Sequence, residues 1–297
     1  MTLPKPILPE HLVKFMSAIE TELINCPQCQ YANFKHLFRK EGWNIVRCVS
    51  CSLAMVNPGR KDCYKIYESD EYYNNEKYYY DYEGNKAAYQ KGFRSKLKLI
   101  EKYVDSSKKL LDVGAAYGFF MEEAQRQGFH TSGVELSSAA AKCASHYGKV
   151  YQQPFEDIVT QHRFSVVSFI DSLEHFQNPV TGLQKAWELL EPNGIVAVMV
   201  PNIDSFFARL AKARWHLLLP EEHLFYFNPA SIQSMLNKTG FEVLYMGTGG
   251  YGRSMDEIFR VLFRGKGILP DKIQRLLRKI NFEINLGDLF VLARKSL

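Results

Sequence analysis

From about residue 96 onward, short continuous apolar runs alternate with amphipathic stretches. The runs "KLLDVGA", "TSGVEL", "KVYQ", "FSVVSFI" and "IVAVMV" are apolar at successive positions, as strands are when both faces of a sheet are covered. The segments "RSKLKLIEKYV", "GFFMEEAQRQG", "AAAKCASHYG" and "NPVTGLQKAWELL" read as the helices around them. Gly128 and Gly148 end two of these helices, Ser137 or Ser138 caps one, and the "EPNG" turn closes another. Repeated strand–helix alternation with short links predicts a doubly wound α/β domain. "GDLFVLARK" reads as a last strand.

The first third of the chain follows other patterns. Residues 1–23 predict a helical segment, with an amphipathic helix from about His11 to Ile19. Residues 24–60 carry four cysteines, and residues 61–95 hold the tyrosine-rich stretch "YKIYESDEYYNNEKYYYDYEGNKAAYQ", too aromatic for a free linker. Residues 96–297 complete the division. Near the end, "DKIQRLLRKI" places Ile273, Leu276, Leu277 and Ile280 at helical spacing with basic residues opposite. The stripe is expected to pack on the protein, with contact to an anionic membrane surface as the alternative.

Hydrophobic residues make up 46% and charged residues 23%, values of an ordinary globular protein. The net charge of +5 does not demand a nucleic-acid partner. No apolar run reaches the roughly 20 residues that span a bilayer. The opening residues lack the apolar core of a secretory signal, so the expected location is cytoplasmic.

Two cysteine pairs, Cys26 with Cys29 and Cys48 with Cys51, form C-x2-C-x18-C-x2-C. Two such knuckles complete a tetrahedral site for structural Zn2+, with no position left for a reacting water. Disulfides or a redox pair are the other reading. Cys63 and Cys143 stand apart.

"LLDVGAAYGFF" looks like a glycine-rich nucleotide loop but lacks the phosphate-binding lysine. It reads D-x-G-x-x-x-G, with Asp112, Gly114 and Gly118. An acid at the strand end repels phosphate and attracts an ammonium group. The next strand ends at Glu135, and an acid there accepts the hydroxyls of a ribose. The ligand is expected to have an ammonium, a ribose and no phosphate, properties that S-adenosylmethionine (SAM) has.

Together with "GVELSS", "FSVVSFIDSLEHF", "LEPNGIVAVMVPN" and "EHLFYFNPASIQSMLNKTGFEVL", this motif resembles class I SAM-dependent methyltransferases, of the small-molecule type with an N-terminal zinc ribbon. The resemblance implies a Rossmann-like, doubly wound, seven-stranded sheet with its last strand inserted antiparallel. It departs in one place: Ala116 stands where the family has the middle glycine of G-x-G-x-G. It implies that Asp112, Gly114, Ala115 and Gly118 shape the methionine end. Glu135 would take the ribose, Leu136, Phe155 and Glu156 would line the adenine, and Asp171 would sit beside the sulfonium.

Methyl transfer to a hydroxyl needs alignment, exclusion of water and a proton acceptor. His175, in "DSLEHF", is the expected general base, with Glu174 orienting it or binding substrate; simple packing against the sheet is the other reading. His223, in "EEHLFYFN", is the second candidate, and Tyr82 and Tyr226 are unranked substrate contacts. The expected partner is a small-molecule acceptor, its methylated atom open. An RNA or protein methyltransferase that uses the ribbon as reader is the competing reading, and a non-catalytic SAM-binding protein the third. Residues 24–57 carry no strong basic stripe, only Lys35, Arg39, Lys40 and Arg47 against Glu41, which argues against RNA. The oligomeric state is open.

Overall fold

A computed structural model describes residues 20–68, 82–104, 107–263 and 270–296. The expected helix at His11–Ile19 and residues 69–81 of the tyrosine-rich stretch lie outside the described residues.

Seven strands form the main sheet: β1 Lys109–Val113, β2 His130–Val134, β3 Lys149–Tyr151, β4 Phe164–Ile170, β5 Leu190–Pro201, β6 Phe241–Thr248 and β7 Asp288–Lys295. Their spatial order is β6-β7-β5-β4-β1-β2-β3. β7 pairs antiparallel with both β5 and β6, while the pairs from β5 to β3 are parallel. The fold is the Rossmann-like α/β class, as expected from the strand pattern. The "EPNG" turn lies inside β5, where a register shift between Leu190 and Ile195 absorbs it.

Strand residues alternate between two buried faces. Leu110, Val166, Ile195, Ala197 and Leu292 meet Phe93, Leu97 and Ile100 of helix Lys86–Glu101 and Phe120 of helix Phe119–Arg126. Leu111, Val167, Val196, Val198 and Val291 face helices Pro179–Leu189 and Pro229–Lys238. Burial on both sides is why these runs are continuously apolar. The first helix starts at Lys86, eight residues ahead of the expected "RSKLKLIEKYV".

The second apolar face continues into the cysteine-bearing unit through Cys26, Cys48, Leu53 and Met55. Strands Phe34–Lys40, Trp43–Cys48 and Ala54–Val56 form its sheet, and Phe225–Tyr226 from the chain after β5 adds a fourth strand. A hairpin of Tyr251–Ser254 and Asn281–Ile284, inserted between β6 and β7, packs on helix Lys86–Glu101.

The basic helix Asp271–Leu277 corrects one expectation. Ile273, Leu276 and Ile280 are 44%, 62% and 43% exposed, while the polar Gln274 is buried. Gln274 is the residue this helix turns inward, Leu277 is half-buried, and the rest of the apolar stripe is exposed beside Lys272 and Arg275.

Gly118 begins helix Phe119–Arg126 with φ +79°, and a Cβ there would lie 2.8 Å from the Tyr147 ring and 2.9 Å from the Ala144 backbone. Gly118→Ala adds left-handed strain to that overlap and should lower stability by roughly 2–4 kcal/mol, read from urea unfolding. A loss below about 0.5 kcal/mol would mean the corner can relax.

Candidate functional site

The carboxyl ends of β1, β2 and β4 open on one cavity of roughly 890 Å³, its open mouth included. This is the point where strand order reverses, the usual ligand crevice of such sheets. Gly114, Ala116, Glu135, Leu136, Phe155, Glu156, Asp171 and His175 line it.

The turn after β1 alternates left-handed residues: Gly114 at φ +80°, Ala116 at +49° and Gly118 at +79°. Ala116 thus keeps the conformation of the glycine it replaces, at a strain of about 1–2 kcal/mol. The turn aims the Ala116 N–H at Glu135 Oε2, 2.8 Å away. The Ser137 N–H donates to Glu135 Oε1 at 2.9 Å. Both carboxylate oxygens are thus oriented by backbone N–H groups.

Asp112, Ala115 and Gly118 stand behind the lining rather than in it. Asp112 is buried and accepts a hydrogen bond from Ser168 Oγ at 2.8 Å. Burial pushes its carboxyl up to about 7, against the pull of that bond, and the Glu135 charge adds to the rise. The Ala115 N–H donates to the Val134 carbonyl at 2.9 Å, which ties the turn to β2.

Phe155 is buried edge-on against Phe169 and Phe176, with centroids 5.6 and 6.3 Å away, so it serves the core and the cavity wall together. Asp171 follows β4 at φ +51°. Burial pushes its carboxyl up to about 6, opposed by a hydrogen bond from the Tyr251 phenol.

The turn Leu173–His175 separates its two polar residues. His175 reaches the cavity, whereas Glu174 is fully buried, and neither of its carboxyl oxygens has a hydrogen-bond partner among the described residues. Burial and nearby Asp171 raise the Glu174 carboxyl well above its ordinary range. His175 Nδ1 lies 2.6 Å from the Tyr67 phenol oxygen and 3.1 Å from the Glu222 carbonyl oxygen. Burial lowers this imidazole to about 4. His223 sits behind it, ring edge to ring face with centroids 4.8 Å apart. Its Nδ1 is 2.9 Å from the Leu217 carbonyl, a position for a donated proton. Glu174, His175 and His223 form one compact group, with ligand-capable atoms within 4.8 Å of one another.

Tyr64, Tyr67 and Tyr251 also line the cavity and escaped the sequence reading. Tyr64 donates to Glu156 Oε1 at 2.7 Å. The first two lie in a stretch so rich in tyrosine that spacing ranks none of them, and Tyr251 belongs to the inserted hairpin. Tyr82, stacked on Phe119 at 5.0 Å, lines the cavity as well, whereas the buried Tyr226 packs in the apolar cluster that includes Trp43 and Trp215.

The four cysteines converge. Cys26 Sγ is 3.4 Å from Cys51 Sγ, and Cys29 Sγ is 3.4 Å from Cys48 Sγ, with all four within 4.8 Å. A disulfide would need about 2.05 Å. Zn–S bonds of about 2.3 Å in a tetrahedron set sulfurs about 3.8 Å apart, which these positions fit. Gln30 and Ser52, each just after a pair, take φ of +61° and +63° and close the two knuckles alike. From this unit Val56 N–H donates to the Leu224 carbonyl at 2.9 Å, and Leu224 N–H donates to the Glu174 carbonyl at 2.9 Å. The Arg60 guanidinium donates to the Glu221 carbonyl at 3.4 Å. The segment that carries Glu222 and His223 is therefore held between the cysteine unit and the turn after β4.

Residues 86–246, more than half of the chain, match the family model described as a methyltransferase domain. The ubiquinone biosynthesis O-methyltransferase of Psychrobacter arcticus is 27% identical over 153 residues, 46% of this chain and 60% of that protein. The protein of the same name in Thiobacillus denitrificans is 28% identical over 171 residues, 52% of this chain and 73% of that protein. The alignment thus spans less than two thirds of the Psychrobacter relative. Among solved structures, a possible histamine N-methyltransferase from Thermotoga maritima superposes with a TM-score of 0.52 at 16% identity, over 78% of this chain and all of that one. The plantazolicin methyltransferase BpumL, solved with S-adenosylhomocysteine (SAH), gives 0.52 at 17% identity over 79% and 94%. At these identities the likeness is one of fold.

Glu174 generates a test of the buried acid group. Its raised folded pKa means that the folded chain keeps a proton which the unfolded chain releases above about pH 4.3, so stability falls as pH rises from there toward the folded value. Glu174→Gln removes this loss. Its stability relative to wild type should climb from pH 5 to pH 8 by up to about 1.4 kcal/mol per unit, measured by urea unfolding. A pH-independent difference would show that Glu174 is ionised in the folded protein.

Proposed function

The chain belongs to the methyltransferase-domain family, and from that premise we propose that it moves the methyl group of SAM to a hydroxyl oxygen of a small-molecule acceptor. The observation that carries the reading is the backbone-oriented carboxylate of Glu135, placed in one cavity with His175. Glu135 would accept the ribose hydroxyls, and Leu136, Phe155 and Glu156 would enclose the adenine. Gly114 leaves room for the methionine end, where Asp112 supplies negative charge behind the turn. Oxygen is favoured as the acceptor atom by the names of the O-methyltransferase relatives.

His175 is the base in this reading, with His223 supporting it from behind. The displacement is in line: the acceptor oxygen attacks the methyl carbon, the carbon–sulfur bond breaks, and SAH leaves. Four cysteine thiolates would hold a structural zinc ion, whose contribution is to fix the ribbon and, through it, the segment 219–227.

Calorimetric titration of the zinc-loaded protein with SAH tests the cofactor site. Micromolar binding is expected, and Glu135→Ala should weaken it by about ten- to a hundredfold, the loss of charge-assisted hydrogen bonds. Wild-type protein that ignores SAH would remove the reading. For the ribbon, chelation of zinc should speed amide hydrogen exchange across residues 219–227 by at least about tenfold while β1 and β4 stay protected. Equal protection before and after chelation would uncouple the two.

A further inference from the structure

The short helix Lys65–Glu68 follows the ribbon and sets Tyr67 in the cavity wall. The phenol oxygen is 2.6 Å from His175 Nδ1, and the two rings stand edge to face at 5.4 Å and 84°. At that distance the phenol occupies the approach to this nitrogen. An acceptor hydroxyl in the cavity that gives its proton to Nδ1 can do so through the Tyr67 oxygen.

We propose that Tyr67 is a catalytic residue: the acceptor hydroxyl gives its proton to the Tyr67 oxygen as the Tyr67 proton passes to His175 Nδ1. The proposal rests on the methyl-transfer reading above. The step balances. The acceptor oxygen gains the methyl group, the electron pair of the broken carbon–sulfur bond stays on sulfur, and the phenol ends as it began. Positive charge moves from the sulfonium to the imidazolium of His175.

The Glu222 carbonyl, 3.1 Å from the same nitrogen, gives this arrangement its direction. A neutral Nδ1 that accepts from Tyr67 turns a lone pair toward that carbonyl, a poor contact. Once Nδ1 carries the proton, the carbonyl and the phenol oxygen both accept from it. The contact improves as the proton arrives, which favours the transition state over the ground state.

Nitrogen-resolved NMR of the full, zinc-loaded chain saturated with SAH tests the relay without an acceptor. His175, one of eight histidines, is assigned by loss of its signal in His175→Ala. In wild type its Nδ1 should be the unprotonated acceptor. In Tyr67→Phe the proton should move to Nδ1, toward the Glu222 carbonyl. An unchanged tautomer in Tyr67→Phe would overturn the proposal. With an acceptor found by screening phenols and sugar nucleotides against labelled SAM, Tyr67→Phe should lower kcat by about 10²–10⁴, with KM and SAH affinity within about threefold. His175→Ala added to it should cost little more, because both residues serve one proton. A kcat within about threefold of wild type in Tyr67→Phe, beside a strong loss in His175→Ala, removes the relay and leaves the base. Full activity of His175→Ala removes the base and the relay with it.

Discussion

The carboxyl group of Glu135, buried at the end of β2, sets terms that the neighbouring loops must meet. An unpartnered charge at such depth is not tolerated. Here two backbone N–H groups, from Ala116 and Ser137, meet one oxygen each. To bring Ala116 N–H there, the chain after β1 must turn with alternate left-handed residues, and Gly114 must come so close to Ser172 that a Cβ would sit 2.8 Å from it. The loops after β1, β2 and β4 are thus fixed relative to one another by one acid. The strain at Ala116 is small beside the cost of leaving that acid unmet.

A second dependence joins the ribbon to the chemistry. The cysteine unit is not a bead on the chain: it shares the apolar core beneath β4 and β5 and takes its fourth strand from Phe225–Tyr226. Arg47 pairs with Asp204 at 2.7 Å, and Asp204 accepts from Asn228 Nδ2 at 3.0 Å, which clamps the far end of the same segment. His223 lies between these two attachments. Whatever orders the four cysteines therefore also orders the imidazole behind His175.

The parts of this architecture that depend on local pattern were legible in the sequence. Strand "FSVVSFI" is β4 residue for residue, Ser137 caps its helix by accepting from Ala140 N–H, and the last strand is antiparallel as the resemblance implied. Glu135 and the cysteine spacing were legible because each carries its own chemistry at a fixed interval. What was missed depends on distant pairing. Tyr67 meets His175 across 108 residues, and Tyr251 sits in a hairpin whose partner strand begins at Asn281. The tail helix misled because its apolar spacing was sound while its orientation is set elsewhere: Gln274 is turned inward and Arg278 reaches Asp256 at 3.3 Å, so most of the stripe faces out.

Burial shifts the ionisable groups in and behind the cavity toward their neutral forms. Asp171 is pushed up to about 6 and Asp288 to about 7, Glu174 higher than its ordinary range, and His175 down to about 4. A cationic ligand changes every one of these balances in a consistent direction: it favours the ionised form of each acid and disfavours an imidazolium. On the proposed reading, the sulfonium would keep His175 neutral and able to accept a proton for as long as the methyl group is in place. Transfer of the methyl group removes that charge as the proton reaches the imidazole. The low dielectric that makes the buried acids costly would then couple the two events, since neither the positive charge nor its replacement is screened by water.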